Sequence, residues 1–186
     1  MARFFIVSIN YEPEPTGFAP KATALAEHLA RQAHDVHVFT GFPFAPNWRR
    51  RDEDRGRFFS TRRTGNLTVH RVTHFIPRRP SSAVERILME GSFSVSACAA
   101  MIVELLGRSG RPDAILYIGA QPTLAMLARF VSSLAGCPYF VNITDLAVRA
   151  ALDVGILPNR LSRLLEVFEF AAYRKAVGAG VLCQSF

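Results

Sequence analysis

Cysteine is scarce in this 186-residue chain, and its three copies, Cys98, Cys137 and Cys183, each sit in an apolar stretch. None is paired at a metal-ligand or redox spacing, so they read as buried small hydrophobes rather than as a zinc or dithiol centre. Clustered glycine is missing too. The loop after the first apolar run, Asn10 to Gly17, holds one glycine where a dinucleotide fingerprint needs three, and Lys21 lacks the glycine-rich cradle of a Walker motif. A nicotinamide or flavin site and nucleotide hydrolysis are therefore disfavoured. No secretory signal is visible, because Arg3 is followed by a short apolar run and then by the acidic, proline-rich stretch Glu12 to Pro15. That points to the cytoplasm. The longest weakly polar stretch, Gly91 to Val103, contains several serines and is shorter than the ~20 residues that cross a bilayer, so no spanning helix is expected. Internal repeats and low-complexity tracts are absent.

What is present is core material: 49% hydrophobic residues, 15 Phe, and only 20% charged residues. A folded chain of one domain follows. The net charge of +7 is local, since ten arginines between Arg49 and Arg79 face only Asp52, Glu53 and Asp54, while the remainder is neutral. Such a segment suits phosphates of a lipid-linked substrate, an anionic membrane surface, or plain solvation as a loop. Nucleic acid is the weakest of the readings, because no recognition module accompanies the arginines.

Strand and helix signals alternate along the chain. Phe4 to Val7 is a continuous apolar strand of the kind covered on both faces, and Ala22, Leu25, Ala26, Leu29 and Ala33 recur at helical spacing beyond Pro20. Val36 to Phe39 is the second strand, which completes a βαβ unit. Phe42 to Asn66 reads as a long basic excursion. Leu67 to Phe75 alternates as a strand, and Ser82 with Glu85 suggests a capping box for a helix toward Leu106, interrupted at Gly91. Ala114 to Ile118, Tyr139 to Ile143 and Val181 to Cys183 are further strands, with helices over Thr123 to Leu134 and Ser162 to Ala176. The total is a three-layer α/β, Rossmann-like domain with a mostly parallel sheet of six or seven strands.

Ligands in such sheets bind beyond the carboxyl ends of the strands, near the reversal of strand order. Three loops qualify: Asn10 to Gly17, Gly119 to Pro122, and Thr144 to Leu146. Gly17 lies at the start of the first helix, where it either lets an anion approach backbone N–H groups or simply makes a turn. Asp145 either faces the cleft as a base or hydroxyl ligand, or caps its own loop. Glu12 and Glu14 read as solvated alternatives, His34 as a residue at a helix end, and His37, His70 and His74 show no spacing that specifies a metal. No metal is expected.

Asn10-Tyr11-Glu12-Pro13-Glu14-Pro15-Thr16-Gly17, followed by Leu25-Ala26-Glu27 and Ala33-His34-Asp35-Val36-His37-Val38, resembles the opening of the family 4 retaining glycosyltransferases. It is most similar to the bacterial branch that builds exopolysaccharides such as colanic acid and O-antigens. Thr40 to Trp48, Asp145-Leu146, Gly155-Ile156-Leu157, and Glu169 with Tyr173 to Ala176 follow the same order. The resemblance implies one half of a two-domain GT-B enzyme, the N-terminal half holding the sugar acceptor and the C-terminal half the nucleotide-diphosphate sugar, which is a co-substrate rather than a cofactor. Gly17 matches the glycine near the donor phosphates and Asp145 the catalytic aspartate of the acceptor side. Asn10, Tyr11, Glu14, Gln121 and Arg149 fall at substrate-binding positions of the cleft. A saccharide or polyprenyl-linked acceptor is implied, and with it peripheral attachment to the inner face of a bacterial membrane.

Two departures from the family stand out. Its glycine before the histidine is Ala33 here, which a helix end tolerates if its turn geometry differs, and its Trp-Pro-acidic segment is Ala147-Val148-Arg149. The second reverses a charge in the acceptor cleft. With no donor half in these residues, the chain alone is expected to be inactive. A non-catalytic binding half that pairs with a separate domain is the alternative.

Overall fold

The computed structural model describes residues 1–107, 110–143, 167 and 169–181. The elements are β1 (Arg3–Val7), α1 (Ala19–Arg31), β2 (Asp35–Gly41), a short 3-10 turn (Asp52–Asp54), β3 (Phe59–Thr64), β4 (Leu67–Val72), α2 (Ala83–Leu106), β5 (Ala114–Gly119), α3 (Pro122–Ala135), β6 (Tyr139–Ile143) and β7 (Gly178–Val181). They build a seven-stranded sheet of order β3-β4-β2-β1-β5-β6-β7. All neighbours pair parallel except β3, which runs antiparallel to β4 at the edge.

Alternation along each strand divides the core into two layers. Ile6, Val36, Val38, Val69 and Ile118 meet Ala22 and Ala26 of α1 on one face. Phe5, Val7, Phe39, Val72, Ile115 and Tyr117 meet Phe93, Ala97 and Met101 of α2 and Leu124, Ala128 and Val131 of α3 on the other. The small residues of α1 let the helix sit close on β1 and β2. Phe5, Ile6, Phe39 and Ile115 are fully buried, and each such side chain contributes about 1.5–3 kcal/mol.

Three expectations need correction. The excursion from Phe42 to Asn66 contains β3, which forms a hairpin with β4 around Gly65 at φ 60°; its Ser-Thr-Arg-Arg-Thr run is polar because it is an exposed edge. Helix α2 is continuous through Gly91 and, at 24 residues, is long and apolar enough to cross a membrane by length and composition. One side of it is nonetheless packed on the sheet through Met89, Phe93, Ala97 and Met101, while Val84, Ile87, Leu88 and Val95 stay exposed. Its capping box is half formed: Ser82 Oγ accepts from Glu85 N at 3.5 Å, while the Glu85 carboxylate accepts from Arg79 N and Nε instead of from Ser82 N.

The third correction concerns Ala33. In the turn after α1, Ala33 lies in the left-handed region at φ 62°, a conformation that favours glycine, its N–H donating to Ala30 O. A Cβ there costs about 1–2 kcal/mol, against about 0.4–1 kcal/mol for the extra chain entropy of glycine. Ala33→Gly is therefore expected to stabilise the fold by about 0.5–1 kcal/mol, read as a higher urea midpoint with unchanged slope.

Candidate functional site

The chain reverses its direction across the sheet beside β1. After β1 it winds to β2, out to the edge strand β3 and back to β4 beside β2; α2 then crosses back and places β5 on the other side of β1. The crevice opens where the loops after β1 and β5 part, at the carboxyl edge. β6 points the same way, so its end at Ile143 reaches that edge too, two strands from β1. Asp145 and Arg149, like Cys183, lie outside the described residues.

Gly17 turns the chain into α1 at φ +65°, two residues before the helix begins. A Cβ there would also stand 3.1 Å from Asn10 Oδ1. Positive φ and close approach thus both call for glycine. Asn10 is 8% exposed, and its Nδ2 donates to Glu14 Oε2 at 2.8 Å.

Glu14 is buried rather than solvated, at 6% exposure. Its Oε1 accepts from both Phe44 N and Ala45 N at 2.7 Å. One carboxylate therefore joins the first loop to the aromatic segment after β2 and gives those two N–H groups a charged partner that their own segment lacks. The seam continues below: Gly41 N donates to Ile9 O at 3.1 Å, and a Cβ on Gly41 would lie 2.6 Å from His74 Nε2. His74 faces Phe75 O through Nδ1 and Phe42 O through Nε2, and burial pushes its pKa below the ordinary histidine range. Arg71 closes the outer side by donating to Gly41 O and to Glu12 O.

The remaining nominated residues fall differently. Tyr11 is a core ring, 1% exposed on the α1 side, not part of the cleft wall. Its hydroxyl is buried without a hydrogen-bond partner, and burial raises its pKa. Gln121 precedes α3 at the mouth of the crevice, 9% exposed, with Oε1 unbonded; its carbonyl accepts from Tyr117 Oη at 3.0 Å.

Glu90 is an ionisable group that sequence reasoning did not single out. It sits half-buried in the second turn of α2, and burial, opposed by Arg86, pushes its carboxyl up to about 7. Its charge and that of Glu169 both raise the Tyr117 hydroxyl further. Glu169 is 2% exposed and accepts from Tyr173 Oη at 3.5 Å. In the sequence Glu90 is only an acid four residues beyond Arg86, indistinguishable from a surface pair. A depression of about 290 Å³ lined by Arg129, Ser132, Gly136, Tyr139 and Lys175 lies at the opposite, amino edge of β6 and does not join these loops.

The seam predicts a graded response at Glu14. Glu14→Ala strands two backbone donors and is expected to cost about 2–4 kcal/mol in denaturant unfolding, whereas Glu14→Gln keeps an acceptor oxygen and costs about half of that.

With this geometry in hand, comparison with known proteins is informative. The model of the glycosyl transferase 4-like domain matches residues 16–185. The chain is 34% identical over 173 residues to WcaI of Escherichia coli (strain K12), named as a colanic acid biosynthesis glycosyl transferase; the match spans 90% of this chain and 41% of that protein. The chain thus corresponds to about two fifths of that relative's length. Among solved structures it superposes on UGT89C1 of Arabidopsis thaliana complexed with UDP, with TM-score 0.58 and 12% identity over 97% of this chain and 44% of that one. It also superposes on the catalytic domain of starch synthase IV from Arabidopsis thaliana bound to ADP and acarbose, with TM-score 0.51 and 17% identity over 77% of this chain and 34% of that one. At such identities these two establish the fold alone, a Rossmann-like α/β domain. The chain belongs to the glycosyl transferase 4-like family.

Proposed function

We propose that this chain is the acceptor-side domain of a retaining transferase of polysaccharide biosynthesis, in which an acceptor hydroxyl replaces the nucleotide diphosphate at the anomeric carbon of a sugar. The observation that carries the reading is the Gly17 turn beside the reversal of strand order. Its missing side chain and the dipole of α1 favour a diphosphate arriving from a facing donor domain. The likeness to a colanic acid transferase supports the polysaccharide class, and the nucleotides in the two solved neighbours support a nucleotide-linked donor.

In this reading Asn10 and Glu14 act from beneath, holding the loop that carries Gly17 in register. Gln121 Oε1, buried against Gly119 without a hydrogen-bond partner, would reach a sugar hydroxyl after a turn of its side chain. Asp145, in the loop after β6, is assigned to orient or deprotonate the attacking hydroxyl, and Arg149 to the acceptor's charge. Catalysis needs both substrates held together, so the domain binds acceptor without turning over.

A polyprenyl-linked acceptor would be reached at the inner surface of the membrane. The outer face of α2 exposes Val84, Ile87, Leu88 and Val95 at 67, 66, 52 and 71%. Exposed Arg78 and Arg86 flank it. An apolar stripe with arginines at one end suits an anionic bilayer surface.

Incubated with nucleotide sugars and polyprenyl-diphosphate saccharides, the purified chain is expected to bind the lipid-linked saccharide and release no glycoside. Reproducible product would overturn its inactivity alone, and absence of any saccharide binding would remove the acceptor assignment. Sedimentation with liposomes is expected to recover the chain on anionic vesicles at low salt, less at high salt, and less again for the double variant Ile87→Glu, Val95→Glu. Equal recovery with neutral and anionic vesicles would end the membrane reading.

A further inference from the structure

Away from the cleft, three side chains distant in sequence converge between the sheet and the last turns of α2. His37 comes from β2, His70 from the neighbouring β4, and Glu104 from α2. His37 Nδ1 and His70 Nε2 are 3.1 Å apart; His37 Nδ1 is 3.5 Å from Glu104 Oε1, and His70 Nε2 is 3.9 Å from Glu104 Oε2. All three donor atoms lie within 4.8 Å of one another. We propose that His37, His70 and Glu104 form a binding site for one divalent transition ion of the zinc type.

Geometry is the first support. Bonds of about 2.0–2.2 Å at tetrahedral angles put neighbouring ligand atoms about 3.3–3.5 Å apart. The shortest separations between the three residues bracket that edge length; because the two to Glu104 end on different oxygens, a turn of its carboxylate would bring one oxygen within reach of an ion held by both imidazoles. Two imidazoles and one carboxylate leave the fourth position for water, and Glu104, its side chain 20% exposed, provides the way in from solvent.

The surroundings supply the second support. A ligating imidazole needs a partner for its other nitrogen. His70 Nδ1 lies 3.2 Å from Thr61 Oγ1, on the strand residue paired in register with it. His37 Nε2 lies 3.5 Å from Asp35 Oδ2, and Asp35 is itself held by Arg3 at 2.6 Å. Without an ion this arrangement is poorly satisfied: His37 Nε2 and Asp35 Oδ1 are buried with no hydrogen bond. An ion on Nδ1 would place the ring's only N–H on Nε2, facing Asp35. The expectation of no metal, read from local spacing, had no access to a cluster whose histidines stand 33 residues apart.

The site is remote from the crevice. His37 is the third residue of β2, four before the strand's carboxyl end at Gly41, and Glu104 is near the end of α2. An ion there would tie α2 to β2 and β4, a structural clamp under the acceptor loops rather than a participant in sugar transfer.

The test uses the untagged full chain, stripped with chelator, desalted and titrated with zinc. One zinc per chain is expected by elemental analysis after gel filtration, and cobalt is expected to give the visible absorption of a tetrahedral site. At zinc about a hundredfold above Kd the melting temperature should rise by about 5–10 °C. Glu104→Gln removes the charged ligand while keeping the side chain's shape, and is expected to weaken zinc binding by at least about tenfold with the apo melting curve little changed. The exposed control His28→Gln should bind as the parent does. Failure of the parent chain to retain zinc, or undiminished binding in both Glu104→Gln and His70→Gln, would overturn the proposal.

Discussion

Strand β1 is hydrogen-bonded on both sides, and the order of the whole sheet reverses beside it. Five residues, Arg3 to Val7, therefore have to satisfy helices on both faces and parallel neighbours on both edges. Phe5, Ile6 and Val7 do so by being apolar without interruption, which excludes function from the strand itself. Chemistry is displaced to the loop that follows. That loop must leave a buried strand, turn sharply into α1, and keep an open side toward the crevice.

A loop of that kind is held by polar atoms, since it has little apolar surface to bury. Glu14 supplies them by accepting from Asn10, Phe44 and Ala45. The aromatic segment after β2 is thereby a wall fastened to the first loop rather than a free excursion, with Phe44 packing on Trp48 and His74. At Gly41 and Gly119 the backbone passes side chains, His74 and Gln121, too closely for a Cβ, and at Gly17 a positive φ adds to a tight approach to Asn10. Residues that motif reading assigns to substrate thus divide by depth. Asn10 and Glu14 position the loop, Tyr11 anchors it in the core, and Gly17 and Gln121 remain at the opening.

This division explains what could be read from the sequence. Strands β1, β2, β5 and β6 and helices α1 and α3 were legible, because each buries an uninterrupted or periodic apolar face; Tyr139 to Ile143 has the same bounds in both readings. β3 was not, since an edge strand facing solvent looks like a polar loop. Continuity of α2 through Gly91 was hidden because a single glycine costs a long helix only about 1 kcal/mol, which the packing of Met89 and Phe93 offsets. Glu14 was placed correctly on the first loop but with the wrong exposure, because its partners are backbone N–H groups some 30 residues away. Ala33 shows the reverse failure: a left-handed position that favours glycine is held by an alanine, which nothing in the local sequence signals.

The basic segment illustrates how net charge and available charge differ. Ten arginines fall between Arg49 and Arg79. Arg71 is committed to the carbonyls of Gly41 and Glu12, and Arg50 lies 4.0 Å over the Phe42 ring while donating to Arg57 O. Burial lowers the pKa of both, which marks them as parts of the seam rather than as a field directed outward. Arg49, Arg51 and Arg55 pair with Asp52 and Glu53 at the surface, in contacts worth 0 to about 1 kcal/mol that yield readily to a stronger anion. Three acids cannot neutralise the exposed remainder, which includes Arg57, Arg62, Arg63 and Arg78. Among the described residues the positive field therefore belongs to the β3 edge and to the approach to α2, while the loops after β1 and β5 present carbonyls, amides and one buried carboxylate.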